Sequence, residues 1–345
     1  MRAVVYSEAG KADVLRVVER PVPEPGPGEV RVRIVVSGVN PTDWKTRSGA
    51  SRTPQPDVPE STPNQDGAGV VDALGAGVTS HAVGDRVWIY LAADGRPASG
   101  TAQEYTVIPA RNAVPLPGIA SFEVGASLGV PAMTAHRALT VAEDGPRRLG
   151  PGALAGSTVL VAGGAGAVGH AAIQLARWAG ATVIATISSP AKAALATAAG
   201  AHHVVNYREG DPAAAIRAVA PDGVDLVVEV APAVNLPLDL AVIRSRATIA
   251  IYATDGGAEL TLAIGPNIVL NTRLQFLLLY TVGAGALQAA ADDITAALEA
   301  GVLPVGEEHG LPLHRFDLAD TAGAHEAVEA GAVGKVLIDV TTEPA

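Results

Sequence analysis

The chain has 345 residues, enough for two domains at about 150 residues apiece. It carries 24 Lys and Arg against 35 Asp and Glu, a formal charge of −11, and no basic run exceeds Arg147-Arg148, which argues against nucleic acid as a partner. Without cysteine there is no disulfide, thiolate or cysteine-ligated zinc chemistry. No uncharged apolar run approaches the ~20 residues of a membrane span, and the stretch MRAVVYSEAGK lacks the apolar core of a signal peptide. The expectation is a soluble, cytoplasmic protein.

Through about residue 125, short Val-rich runs at 3–6, 30–36, 69–73, 86–90 and 102–108 are separated by Pro, Gly and Asp clusters, the pattern of a barrel-like antiparallel domain. The proline-rich stretch 21–28 between them predicts an extended connector. The pattern changes at Ser157. Strands are predicted at 158–162, 182–186, 203–206, 225–230, 247–253 and 273–280, interleaved with helices at 169–178, 191–199, 212–219 and near 236–243. Such alternation predicts βαβ units and a parallel, doubly wound sheet, so the fold class is α/β. Two further helices, at 284–300 and around 318–329, and a strand at 336–340 suggest a tail that returns to complete the first domain. The expected division is 1–130, 131–280 and 281–345.

The strongest chemical signal is Gly163-Gly164-Ala165-Gly166-Ala167-Val168-Gly169, which satisfies G-x-G-x-x-G through Gly164, Gly166 and Gly169. It follows an apolar strand and opens an amphipathic helix inside a βαβ unit, the context that gives this motif its meaning. Glycines there permit a tight turn and let backbone N–H groups, including those of Ala167 and Val168, approach a pyrophosphate at the helix N-terminus. NAD enzymes place an acid at the end of the second strand, to accept from the ribose 2′-OH. Here that position reads Thr186-Ile187-Ser188-Ser189-Pro190-Ala191-Lys192, with no acid. Two hydroxyls and a cation suit a 2′-phosphate, so NADPH is the expected cofactor.

These residues, together with Ser37-Gly38-Val39-Asn40-Pro41, Gly84-Asp85-Arg86-Val87, the stretch 131–139 and Asn206-Tyr207-Arg208-Glu209, run from end to end of the chain. The whole chain resembles the zinc-independent, zeta-crystallin-like quinone oxidoreductases of the medium-chain dehydrogenase/reductase superfamily. The resemblance implies a GroES-like β-rich catalytic domain and a Rossmann domain. It implies that Lys192 and Tyr207 contact the 2′-phosphate of NADPH with Ser188 beside them, that Asn40 and Thr134 lie near the nicotinamide, and that Tyr252-Ala253-Thr254 approaches the same ring. Zinc-dependent cousins carry Cys where this chain has Asn40 and a His-Glu pair where it has Gln65-Asp66, so no metal is expected. His136 and His202-His203 fit packing or surface positions better than ligation. The family's tyrosines shortly after the Gly-Val-Asn turn are missing from 44–52, which leaves the preferred substrate open.

Without a metal, the implied chemistry is hydride transfer to a conjugated carbonyl, with the Asn40 amide donating to the developing oxyanion. The rival reading of Asn40 is turn formation, because Asn before Pro commonly begins a turn. Asp43 stands four residues before Arg47, the spacing of a local helical ion pair. No residue stands out as a general acid; solvent is the default, with Tyr90 and Tyr105 better suited to the core. The apolar run 273–280 predicts an edge strand paired across a two-fold axis in a homodimer. The leading function is an NADPH-dependent reductase of quinones or other α,β-unsaturated carbonyls. The alternatives are an enoyl-thioester reductase of fatty-acid or polyketide type, and a non-catalytic NADPH-binding protein, crystallin-like or RNA-binding.

Overall fold

In the computed structural model, which describes residues 1–50 and 59–341, the chain opens with an antiparallel pair, β1 (Arg2–Val5) and β2 (Arg16–Glu19). Along β3 (Glu29–Val39), Val30, Val32 and Ile34 are fully buried and alternate with half-buried Glu29, Arg31 and Arg33, the period-two pattern of a strand with one face on a core. Then come α1 (Pro41–Ser48), β4 (Asp66–Leu74), β5 (Arg86–Ile89), β6 (Tyr105–Pro109), β7 (Ala113–Pro115) and α2 (Phe122–Ala126). Neither α1 nor α2 was expected from the pattern. Both are short, and α1 carries mostly polar residues, so neither has an apolar stripe of helical period to announce it.

A second unit covers Pro131–Pro312 and is preceded by the start of α3 (Gly129–Leu139). Its strands and helices alternate: β8 (Thr158–Ala162), α4 (Ala167–Trp178), β9 (Thr182–Ile187), α5 (Pro190–Ala198), β10 (His203–Asn206), α6 (Pro212–Val219), β11 (Val224–Glu229), α7 (Pro232–Val242), β12 (Ile243–Ile251), α8 (Ile264–Leu270), β13 (Arg273–Phe276) and α9 (Ala284–Glu299). The six strands form one parallel sheet in the order β10-β9-β8-β11-β12-β13. Val159, Val161, Val183, Ile184, Val227 and Ile249 are all fully buried, as expected of strands covered on both faces. The predicted edge strand at 273–280 is shorter than expected. Phe276 lies in register with Ile251, where β12 ends, so the residues after it have no partner strand and turn away.

The tail supplies β14 (Leu313–Asp317), α10 (Thr321–Glu329) and β15 (Lys335–Asp339). β15 pairs antiparallel with β3, giving the first unit a sheet in the order β14-β15-β3-β4-β5-β7, with β6 also paired to β3. This return begins at Leu313 rather than at residue 281, because α9 stays with the second unit. Buried Asp293 of α9 accepts from Arg148 Nε at 2.7 Å and Leu149 N–H at 2.6 Å, and pairs with His136 Nε2 at 2.8 Å. Burial alone would raise the Asp293 carboxyl, but these partners overcome it and hold it down to about 2. A depressed carboxylate stabilises the fold above its ordinary pKa, and that contribution is lost as pH falls through about 2. Asp293→Asn should therefore cost about 2 kcal/mol at pH 7. The gap between the two proteins' urea midpoints should narrow from pH 5 to pH 3; a gap that widens would contradict the assignment.

Candidate active site

The glycine turn sits where β8 passes into α4. Gly163 has φ +69°, which favours glycine, and a Cβ on Gly169 would stand 2.4 Å from the Gly163 carbonyl oxygen, so helix and turn touch backbone to backbone. At Gly166, by contrast, an added Cβ would meet only that same oxygen, at 3.5 Å, and the side towards a ligand is open. Gly166 begins α4 without a side-chain cap, and His170 N–H is the donor that closes onto the Gly166 carbonyl at 2.8 Å. The earlier N–H groups of Ala167 and Val168 belong to the first turn, where no preceding helical carbonyl can take them and the helix dipole is positive. The geometry fits a dinucleotide pyrophosphate.

The neighbouring strand ends supply the next group of residues. Ser188 directly follows β9, and Ser189 caps α5 by accepting from Lys192 N–H at 3.3 Å. Pairing of β10 with β9 continues to Asn206 opposite Ile187, and Tyr207 N–H then donates to the Ile187 carbonyl at 3.1 Å, which brings Tyr207 beside Ser188. Tyr207 is 44% exposed. Among the described residues, neither the Lys192 ammonium nor the Ser188 hydroxyl has a partner. Glu209, the acid in this loop, accepts from the Asn206 amide at 2.6 Å. Arg208, to which the sequence reading gave no role, adds a second unpartnered cation among the described residues.

Three strands from β9 along the same sheet edge, Tyr252 follows β12, and its N–H donates to the Glu229 carbonyl at 3.1 Å. Burial, then the Glu229 and Asp255 carboxylates, push its hydroxyl above the ordinary value, so it stays protonated. Thr254 is exposed two residues on. Thr134 lies on α3 and is nearly buried; among the described residues no hydrogen bond joins it to this edge. Sequence reasoning missed Glu229 and Asp239, a fully buried pair of carboxyls behind the edge. Burial is the main reason both are raised, and the Glu229 charge raises Asp239 further. Glu229 also accepts from Ala231 N–H and from the Asn235 amide, the latter at 3.0 Å.

In the first unit, strand register assembles a second polar cluster. Asp66 stands opposite Gly38 in the β3–β4 pair, and Val336 stands opposite Val39 in the β3–β15 pair, so Asn40, Asp66 and Lys335 fall side by side. Asn40 Nδ2 donates to Asp66 Oδ2 at 2.6 Å, while Lys335 Nζ donates to Asn40 Oδ1 at 2.7 Å and to Asp66 Oδ2 at 3.3 Å. All three residues are 2% exposed or less. The Asn40 side chain thus serves this cluster as well as the turn, where Asn40 and Asp43 form a capping box. Asp43 accepts from the backbone N–H of Asn40 at 2.7 Å and of Gln65 at 3.2 Å. It does not pair with Arg47, whose guanidinium reaches Glu329 at 2.8 Å instead. Burial, then the nearby Asp66 charge, push the Asp43 carboxyl up to about 8.

Asp66 and Lys335 escaped the sequence reading because their meaning depends on strand register rather than on local spacing. The donor set here does not fit a divalent cation, since an ammonium already occupies it and Gln65 Oε1 accepts from Ala93 N–H at 3.0 Å. Of the proton-donor alternatives, the Tyr90 hydroxyl donates to the Arg111 carbonyl at 3.0 Å, and Tyr105 lies under the Arg31 guanidinium. In the stretch that lacks tyrosines, Ser51 and Arg52 lie outside the described residues.

Residues 26–118 match the alcohol dehydrogenase GroES-like domain, and residues 167–296 match the zinc-binding dehydrogenase family model. The quinone oxidoreductase of Rattus norvegicus is 33% identical over 353 residues, covering 98% of this chain and 97% of that one. Among solved structures, an NAD-dependent alcohol dehydrogenase superposes with a TM-score of 0.83 at 30% identity, covering 99% of this chain and 100% of that one. Escherichia coli quinone oxidoreductase complexed with NADPH superposes with a TM-score of 0.80 at 26% identity, covering 98% and 100% respectively. A largely antiparallel GroES-like unit, a parallel Rossmann-like unit and relatives alike over their full length lead to one assignment: the chain is an oxidoreductase of the zinc-independent quinone oxidoreductase branch of the medium-chain dehydrogenase/reductase superfamily.

Proposed function

We propose that the protein is an NADPH-dependent reductase that transfers a hydride to quinones or other α,β-unsaturated carbonyls without a metal. The observation that carries the cofactor choice is the end of β9, where Ser188 and Ser189 lead to Lys192 with no acid among them, Tyr207 N–H donates to the Ile187 carbonyl, and the acid of the neighbouring loop, Glu209, is engaged by the Asn206 amide. The E. coli relative solved with NADPH supports the same choice. The glycine turn and the N–H groups of Ala167 and Val168 hold the pyrophosphate, while Tyr252, Thr254 and Thr134 flank the nicotinamide. Bound there, the reduced nicotinamide supplies the hydride. A conjugated carbonyl that accepts it develops negative charge on oxygen, and the Asn40 amide, with one hydrogen still unpartnered among the described residues, donates to that oxygen. Solvent supplies the proton that completes the reduction. NADPH oxidation measured against 1,4-benzoquinone, 9,10-phenanthrenequinone, an alkenal and crotonyl-CoA tests this reading. Turnover of a quinone or the alkenal is expected, and turnover of none would overturn it. Crotonyl-CoA as the sole substrate would shift the function to enoyl-thioester reduction.

The same reading extends to assembly as a homodimer through β13. This strand lies at the sheet edge, with Phe276 62% and Leu278 54% exposed, and α8 displays Ile264, Ile268 and Val269. An open edge flanked by apolar side chains is a liability that pairing with a second copy removes. Phe276→Glu should convert a dimer to a monomer in sedimentation velocity with the Rossmann sheet intact by circular dichroism; wild-type protein that sediments as a monomer would contradict the dimer.

A further inference from the structure

The Asn40 amide is held from both ends by groups that admit one orientation. An ammonium has no lone pair with which to accept and an ionised carboxylate has no hydrogen to give, so the amide oxygen must face Lys335 and the nitrogen must face Asp66, at 2.7 and 2.6 Å. Space for both partners comes from missing side chains. A Cβ on Gly38 would stand 3.1 Å from Lys335 Cε, and one on Gly129 would stand 2.0 Å from Asp66 Oδ1. Asp66 Oδ1 is itself taken by Val130 N–H at 2.8 Å, which fixes the carboxylate plane. Burying an ammonium and a carboxylate together is seldom the stable choice, because apolar side chains of similar volume fill such a space without the desolvation penalty. A cluster kept at that cost, with its neutral member left one N–H to spare, has the form of a device for presenting that N–H.

We infer that Lys335 and Asp66 are positioning residues for the reduction: they lock the Asn40 amide in one orientation, and the Lys335 ammonium cancels the Asp66 charge that would otherwise repel the oxyanion formed beside Asn40. The inference rests on the reading of Asn40 as the oxyanion donor. Asp66 accepts from Asn40 and would, if uncompensated, place a full negative charge directly behind the amide nitrogen. Lys335 removes that charge at 3.3 Å while holding the amide oxygen.

The test compares wild type, Asn40→Ala, Lys335→Met and the double variant Asp66→Asn with Lys335→Met. Each is assayed by kcat with 1,4-benzoquinone, by NADPH Kd, by melting temperature and by binding of 4-nitrophenolate, an oxyanion seen by its own absorbance. Lys335→Met should lower kcat at least about tenfold, the worth of one hydrogen bond, and leave NADPH Kd within about twofold. Should Lys335→Met fail to fold, the double variant carries the comparison, because it removes both buried charges. The double variant should regain the melting temperature but not kcat, and should bind 4-nitrophenolate about tenfold more weakly than wild type. Recovery of kcat and phenolate binding together with stability would show a purely structural pair and overturn the inference. Asn40→Ala separates the two claims. If it retains wild-type kcat, the reading of Asn40 itself fails. If it loses turnover while the double variant keeps it, only the role of Lys335 and Asp66 fails.

Discussion

Replacing Lys192 with Ala and Tyr207 with Phe together is expected to raise the Kd for NADPH about a hundredfold and to leave the Kd for NADH within about twofold. Hydrogen bonds to a charged group contribute about 1.5–3 kcal/mol each, and the 2′-phosphate would lose one from each residue, for a combined loss of about 3 kcal/mol. NADH lacks that phosphate and loses neither. The two side chains are suited to such selectivity because the fold does not use them elsewhere. The Lys192 ammonium has no partner among the described residues, and the Tyr207 ring is 44% exposed. The substitutions should accordingly leave the melting temperature within about 1 °C, as is usual for surface changes. Fluorescence titration with both nucleotides checks the expectation. Equal weakening of the two would locate Lys192 and Tyr207 somewhere other than the phosphate, and unchanged preference would remove the assignment of NADPH.

Asn40→Ala carries the second large effect, a fall in kcat of about a hundredfold with NADPH Kd unchanged. Removal of one well-aimed oxyanion donor costs about 3 kcal/mol in the transition state. The residues proposed to hold the nucleotide belong to the second unit and Asn40 to the first, so affinity for the cofactor is not expected to follow kcat. Stability should fall as well, because truncation strips Lys335 and Asp66 of their amide partner in a buried setting. A KM that rises in step with the loss of kcat/KM, at constant kcat, would mean that Asn40 only binds the substrate.

Much of this was legible in the residues. The βαβ alternation and the glycine turn are local signals: an apolar run of five residues, a glycine at each close approach and a helix that starts without a side-chain cap. The missing acid after β9 was equally plain. The tail was harder to place. α9 reads from sequence as part of the return, yet Asp293 ties it to His136, Arg148 and Leu149, contacts that span 144 to 157 residues of chain. β14 was missed because Leu313–Asp317 is mostly half-buried or exposed, with no run of buried apolar residues. The turn at Asn40 was legible only in part. The Asn-Pro pair marks the start of α1, where Asn40 and Asp43 form a capping box, but nothing local marks the bonds of the amide to Asp66 and Lys335. Lys335 lies 295 residues away in sequence, joined to Asn40 only by the β3–β15 register. No spacing rule reaches that far.

Where the hydride lands tests the account most directly. The protein, treated with a metal chelator, is mixed with an alkenal and NADPH deuterated at both C4 positions, and the product is analysed by mass spectrometry. The account predicts a saturated aldehyde with one deuterium at the β-carbon, formed at the same rate with or without chelator. Deuterium on the carbonyl carbon of an alcohol, with a rate that chelation abolishes and zinc restores, would contradict it.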